Sequence, residues 1–403
     1  MQTRLAEFIR DTPQGQEANA ILRSCVHCGL CTAVCPTYQL LGDERDGPRG
    51  RIYLLKHVLE GEPASAKTQL HLDRCLTCRA CETACPSGVR YGRLLDIGRG
   101  VVETQVRRSS LDRLHRQILR AILPYPKRFA ALLRLAGLIR PWLPAGWAKP
   151  IPRVKPTAAW PPARHTRKML VLEGCVQASL APSINAATAR VLDRLGVSLI
   201  RAPQAGCCGA LSHHLSAHAE GLDFMRRNID AWTPYLDQGV EAIVMTASGC
   251  GLMVKEYAAA LKHDADYAAK AARISAQTRD LAEVMAREDL SALEVDSRRR
   301  VAFQSPCTLQ HGQKLDGVVE GLLKRLGFDL APVADPHLCC GSAGTYSLLQ
   351  PDLSLRLLDQ KLQALQAGQP DCVATANIGC LSHLQTGSKV PVVHWVELLD
   401  SAD

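Results

Sequence analysis

Two stretches of this sequence repeat one pattern. "CVHCGLCTAVCP" begins at Cys25 and "CLTCRACETACP" at Cys75. Each sets its thiols at C-x2-C-x2-C-x3-C and closes on a proline. Three thiolates so close together can wrap one face of a four-iron cubane while the loop's backbone amides turn toward its sulfurs. The fourth is carried away from the loop and re-aimed by the proline. This is the ligand run of bacterial-type [4Fe–4S] centres, in which the fourth cysteine of a two-cluster protein serves the other cluster. The spacing therefore assigns Cys25, Cys28, Cys31 and Cys85 to one cluster, and Cys75, Cys78, Cys81 and Cys35 to the second. Zinc sites often use pairs of C-x2-C. A third cysteine at x2 and a fourth at x3 before proline, twice over, departs from that pattern.

Nine cysteines remain, and eight of them keep step. Cys175 to Cys307, Cys207 to Cys339 and Cys208 to Cys340 are each 132 residues apart, and Cys250 to Cys380 is 130. Such agreement marks a tandem duplication. Within each copy an adjacent pair is followed by glycine, "AGCCG" and "HLCCG". Two neighbouring side chains cannot leave one side of a regular strand, so each pair requires a turn, and Gly209 or Gly341 supplies the permissive backbone. Cys175 and Cys250 end strand-like runs, where open α/β sheets place their ligand sites. Two four-thiol sites are expected: Cys175, Cys207, Cys208 and Cys250, then Cys307, Cys339, Cys340 and Cys380. Cys372 is out of step and reads as core. His213 and His214 read as a solvated or packed start of a helix.

The elements around these residues fall into four zones. Residues 1–106 form a largely helical ferredoxin-type domain, in which Ile52, Leu55, Val58 and Leu59 recur at helical spacing and Gly61 stops the helix. Residues 107–167 hold a helix with Leu111, Leu114, Ile118, Leu119 and Ile122 on one face, a second helix over about 127–139, and a proline-rich stretch read as an extended linker. Residues 168–299 and 300–403 are the duplicated units. In each, short apolar runs alternate with helical patterns, which predicts a parallel sheet. The fold class is α+β and multidomain: a helical two-cluster domain followed by two duplicated α/β cysteine-rich domains.

The net charge is +9, but residues 107–168 carry fifteen Lys/Arg against one acid, Asp112. The rest of the chain is therefore acidic on balance, which argues against a nucleic-acid binder. The opening "MQTRLAEFIRDTPQGQ" has no apolar run, and the most apolar stretch, "RFAALLRLAGLIRPWLP", is broken by Arg134, Arg140 and two prolines. A cytoplasmic setting is expected, where clustered cysteines serve as metal ligands or redox groups. No G-x-G-x-x-G opens a dinucleotide fold, and "GSAGTY" after Cys340 lacks the lysine of a phosphate loop.

Together the two-cluster run, "PRGRIYLLK" between its halves, the basic segment and the paired CCG units resemble the glycolate oxidase family of iron–sulfur subunits over essentially the whole length. The CCG units also resemble those of heterodisulfide reductases and of iron–sulfur subunits of membrane-associated flavoprotein dehydrogenases. Heterodisulfide-reducing members carry a further cysteine three residues after the last, where this chain has Met253 and His383. That departure argues against non-cubane clusters and disulfide reduction, and leaves a further iron–sulfur cluster or zinc in the CCG sites. The resemblance implies an electron-transfer subunit with no catalytic residue of its own. A partner subunit carries the flavin that oxidises glycolate, and electrons pass to a quinone or another membrane acceptor. The substrate alternatives are glycerol 3-phosphate and lactate. The basic segment either contacts the inner face of the cell membrane peripherally or docks on an acidic surface.

Overall fold

The computed structural model describes residues 1–142 and 158–400. Most of the proline-rich stretch lies outside the described residues. The chain forms two compact units: Met1–Arg116 with Asp335–Lys361, and Gln117–Ala334 with Leu362–Asp403.

The first unit is helical and internally repetitive. Helix Pro13–Ser24 is started by Thr12, whose hydroxyl accepts from Gly15 N at 3.0 Å, with Pro13 in the first turn. It stops where Cys25 turns extended. Helix Ala66–Asp73, opened by a Ser65/Thr68 capping box, delivers Cys75 in the same way. Helices Pro48–Leu59 and Tyr91–Gln105 cross so closely that a Cβ on Gly98 would stand 2.1 Å from Leu55. Ile21, Leu22, Ile52, Leu55, Leu59, Leu72, Leu94 and Leu95 fill the core between them. The helical stripe expected at Ile52, Leu55, Val58 and Leu59 is buried as predicted. The segment Asp335–Lys361 completes this unit, and Arg356 Nη2 donates to Leu40 O at 2.9 Å.

The second unit holds two four-stranded sheets, each wholly parallel. One runs β2(Val197–Arg201)–β1(Arg167–Val171)–β3(Ile243–Met245)–β4(Thr278–Asp280). The other runs β6(Asp329–Leu330)–β5(Arg300–Gln304)–β7(Cys372–Thr375)–β8(Val392–His394). Register pairs Leu170 with Ile243 in the first and Phe303 with Ala374 in the second. The identical order makes the duplication visible in space. The inner strands β1, β3, β5 and β7 bury their apolar residues, as expected where helices cover both faces of a parallel sheet. Polar ties between the copies are specific: Ser248 Oγ meets Thr308 Oγ1 at 2.7 Å, Ser248 N donates to Ala376 O at 3.1 Å, and His394 Nε2 donates to Thr246 O at 2.9 Å.

One expectation needs correction. The runs before Cys250 and Cys380 do not end as strands on those cysteines. β3 stops at Met245 and β7 at Thr375, and each cysteine sits in the first turn of the next helix, Ser248–Lys255 or Ile378–Gln385. The helix Ser110–Ile122 exists, but of its apolar face only Leu119 is buried, while Leu111 is 81% exposed.

Candidate metal centres

The two helices that end at Cys25 and Cys75 release the chain into loops with one backbone signature. His27 and Gly29 have φ of 56° and 85°; Thr77 and Arg79 have 55° and 62°. Left-handed backbone on a residue with a Cβ costs roughly 1–2 kcal/mol, so three non-glycine cases in two short loops are strain concentrated at these cysteines. The alternation winds each loop around a cavity. Thr77 N donates to Cys75 Sγ at 3.4 Å.

One cavity is lined by Cys25, Cys28, Cys31 and Cys85; the other by Cys35, Cys75, Cys78 and Cys81, with Cys81 also reaching the wall of the first. The electrostatics sort the same way. Burial, followed by the Cys25, Cys85 and Cys28 thiols, pushes the Cys31 thiol up to about 11. Burial, followed by Cys78, Cys75 and Cys35, holds Cys81 well above its ordinary value. Crowded thiols resist ionising together until a cation compensates them.

Around the second cavity lies a buried charged network. The Arg51 guanidinium, 1% exposed, bonds Thr37 Oγ1 at 3.2 Å and His71 O at 2.8 Å, and lies 3.5 Å from Asp46. Asp46 is fully buried and also meets His71 Nδ1 and Arg74 Nη1, each at 3.0 Å. Its carbonyl accepts from Thr37 Oγ1 at 2.7 Å and stands 3.7 Å from Cys35 Sγ. Arg99 donates to Leu72 O and Cys75 O. Asp43, Asp46 and His71 converge closely enough for a metal, but Arg45, Arg51 and Arg74 already occupy the two carboxylates.

In the first repeat Cys175, Cys207, Cys208 and Cys250 come together at the C-terminal ends of β1 and β3. These are the adjacent strands from which the connections run in opposite directions, the usual crevice of an open α/β sheet. Thiol hydrogen bonds from Cys175 and Cys208 pull Cys207 well below its ordinary value, helped by Gly209 N at 3.4 Å and by the Arg227 charge. The turn needs its glycine: Gly209 has φ +88°, and a Cβ there would stand 2.7 Å from Gly221 O. Gly341 repeats this, with φ +88° and Ser354 O at 2.5 Å.

The second repeat distributes its thiols differently. Cys307 and Cys380 belong to the sheet-bearing unit, and Cys339 and Cys340 to the segment of the first unit. Asn377 bridges the copies, accepting from Gly249 N at 3.3 Å and donating to Cys380 Sγ at 3.6 Å. Cys372 is buried in β7, and His213 is buried in a short helix after the first CCG turn.

The donor sets fit iron–sulfur clusters better than single zinc ions. Tetrahedral zinc with bonds of about 2.3 Å sets sulfurs about 3.8 Å apart. Among the described residues no three cysteine sulfurs lie mutually within 4.8 Å.

Comparison with known proteins agrees. Residues 21–89 match the family model of a 4Fe-4S dicluster domain, and residues 169–255 and 301–385 match that of a cysteine-rich domain. The chain is 54% identical over 406 residues to the glycolate oxidase iron-sulfur subunit of Escherichia coli, covering 100% of this chain and 99% of that protein. It belongs to the glycolate oxidase iron–sulfur subunit family. A probable glycolate oxidase iron-sulfur subunit of Bacillus subtilis is 30% identical over 94% of this chain and 93% of its own length. Lactate utilization protein A of Anoxybacillus flavithermus is 26% identical over 54% of this chain and 92% of its own. Membership establishes two [4Fe–4S] clusters in the dicluster domain, and the cysteine-rich domains fit further iron–sulfur centres.

Sequence reasoning missed the polar residues around the second cavity. Arg51 carried a faint signal: it lies four residues before Leu55, on the helix's buried stripe, where a charge needs a reason. Asp46, His71 and Tyr91 carried none.

Proposed function

We propose that this chain is the electron-transfer subunit of a flavoprotein 2-hydroxy-acid dehydrogenase acting on glycolate. The observation that carries the reading is the pair of cavities, each lined by three cysteines of one run and the fourth of the other, with Cys81 reaching both. Cys25, Cys28, Cys31 and Cys85 hold one cluster; Cys35, Cys75, Cys78 and Cys81 hold the second. The first-repeat site, Cys175, Cys207, Cys208 and Cys250, is a candidate for a further centre. When bound, the clusters supply one-electron carriers with potentials set by charge, hydrogen bonds to sulfur and exposure. The chain's own residues fix the thiolates, exclude water and place cations beside the buried site. Glycolate oxidation itself belongs to a flavin on a partner subunit, and a quinone or another membrane acceptor takes the electrons.

A lactate-oxidising complex is the second reading, favoured by the lactate utilization relatives. Those relatives match about half of this chain at lower identity, so glycolate leads. Peripheral membrane contact would use the helix Pro126–Ile139 and the turn after it. These expose Leu132, Leu135, Leu138, Ile139 and Trp142, and the stretch carries Lys127, Arg128, Arg134 and Arg140 without an acid. No helix among the described residues is long and apolar enough to cross a membrane.

The test is anaerobic purification of the chain alone and together with flavin-bearing subunits that co-purify with it from its own host. Alone it should contain iron and sulfide for at least two cubanes, bind no flavin and leave glycolate untouched. With its partners it should be reduced by glycolate, and faster than by lactate. Glycolate turnover by the flavin-free chain, or reduction by lactate alone, would overturn this division of labour or its substrate.

A further inference from the structure

Two buried phenol oxygens in the first unit, Tyr91 Oη and Tyr346 Oη, have no hydrogen-bond partner. Leaving a buried hydroxyl unsatisfied costs roughly 1–3 kcal/mol, so each calls for an explanation. Tyr91 opens the helix Tyr91–Gln105, is 4% exposed, and lies on the wall shared by the two cysteine cavities. Besides burial, the groups acting on it are Cys75, Arg51, Cys81 and Arg99; Cys75 and Arg51 line the second cavity alone, and Cys81 lines both. Tyr346 is six residues beyond Cys340 and 6% exposed. Cys75, Arg51 and Cys339 act on it. Arg99 Nε, on a side chain whose Nη2 donates to Cys75 O, is a third buried donor of this unit without a partner.

We propose that the Tyr91 and Tyr346 hydroxyls donate hydrogen bonds to sulfurs of the cluster held by Cys35, Cys75, Cys78 and Cys81, and that these bonds raise its reduction potential. The proposal rests on the two-cluster reading above. Reduction adds negative charge to the cluster, so a hydrogen bond to its sulfur strengthens on reduction. Burial acts in the opposite sense, because a low-dielectric site resists added charge. Cys35 and Cys81 are buried, whereas Cys28 of the other set is exposed. The more enclosed site is the one supplied with donors and with the Arg51 cation. Both tyrosines are positioning residues, acting on the cluster without entering its ligand set.

Tyr91→Phe and Tyr346→Phe each delete an oxygen that bonds nothing in the protein, so both variants should fold. The full chain, purified anaerobically, is titrated electrochemically while its paramagnetic signals are followed, and exchangeable deuterons coupled to each cluster are measured after transfer to heavy water. Each variant should retain the iron and sulfide of wild type. One cluster's midpoint should fall, by about tenfold in its reduction equilibrium for one bond (~59 mV for one electron), and the other's should stay. A coupled deuteron should vanish with each phenol. Two clusters with unmoved midpoints and undiminished deuteron couplings in both variants would overturn the proposal and leave the two-cluster reading intact. A wild-type chain with iron for fewer than two cubanes would overturn that reading, and the proposal with it.

Discussion

Replacing Asp46 with Asn tests whether the buried network holds Cys35 in place. Asp46 is fully buried, as is the Arg51 guanidinium beside it. The substitution keeps the backbone carbonyl that receives Thr37 and faces Cys35 Sγ, and removes only the charge. Arg51 would keep its bonds to Thr37 and His71 O but lose the carboxylate that offsets its desolvation. Removing one partner of a buried ion pair costs about 3–5 kcal/mol. For a unit of this size each kcal/mol moves the transition by a few degrees, so the first thermal unfolding step should fall by about 10 °C. Iron should be lost from the Cys35 side first, leaving the signal of the other cluster. The control is a second change, Arg51→Met, in the Asp46→Asn background. An apolar pair of similar volume is often no less stable than a buried ion pair, so the double variant should recover much of the loss. A drop below about 2 °C for Asp46→Asn, or a double variant worse than the single, would refute the reasoning.

The crossed ligation predicts that Cys35→Ser and Cys75→Ser give similar spectra in the reduced protein, because both alter one cluster; a match between Cys35→Ser and Cys25→Ser would break the assignment. Burial raises the Asp280 carboxyl to about 6 while Gln313 Nε2 donates to it at 3.0 Å. Its folded form therefore holds the proton more tightly than the unfolded form. The stabilisation is complete below about pH 4 and is lost as pH rises through about 6, roughly 3 kcal/mol in all. Asp280→Asn should thus gain on wild type between pH 4 and pH 7 in thermal scans, and parallel curves would contradict this. If the helix Pro126–Ile139 meets lipid, the chain should sediment with anionic vesicles more than with neutral ones. Leu135→Glu with Leu138→Glu should then cut the bound fraction at least tenfold, since each buried leucine is worth about 1.5–3 kcal/mol; recovery in the supernatant with both lipids would point to a protein partner.

The cysteines were legible because their information is covalent: two identical runs and four intervals repeated in step leave little freedom. The parallel sheets were legible too, since apolar runs alternating with helical patterns admit few topologies. Short edge strands were not. β6 is two residues long and β4 and β8 three each, below any periodicity. The basic segment shows the limit of an amphipathic pattern, which says that a face is apolar but not what covers it. Leu111 and Leu114 are exposed, while Arg108 and Arg116 turn inward to Asp73 and Asp112, and Arg120 to Glu220. Much of the segment's charge is therefore answered by the chain's own acids. For that reason the membrane proposal rests on the following helix. Arg51 and Tyr91 escaped because their meaning comes from what packs across from them.

The Arg51–Asp46 pair is an expensive way to hold a helix in place. Two leucine-sized side chains could fill the same volume at no loss of stability, and the surrounding core already contains Leu55, Leu59 and Leu72. A buried guanidinium becomes useful where negative charge arrives intermittently, and Cys75 and Cys35 are among the groups that act on it, with Tyr91 and Asp46. Its carboxylate partner keeps it tolerable in the folded protein, and the adjacent phenols add neutral donors without adding charge. Stability and potential should therefore separate in the double variant Asp46→Asn with Arg51→Met. The fold should recover while the midpoint of the Cys35-side cluster moves. A double variant that is stable, holds both clusters and keeps both potentials would mean that the ion pair serves the fold alone.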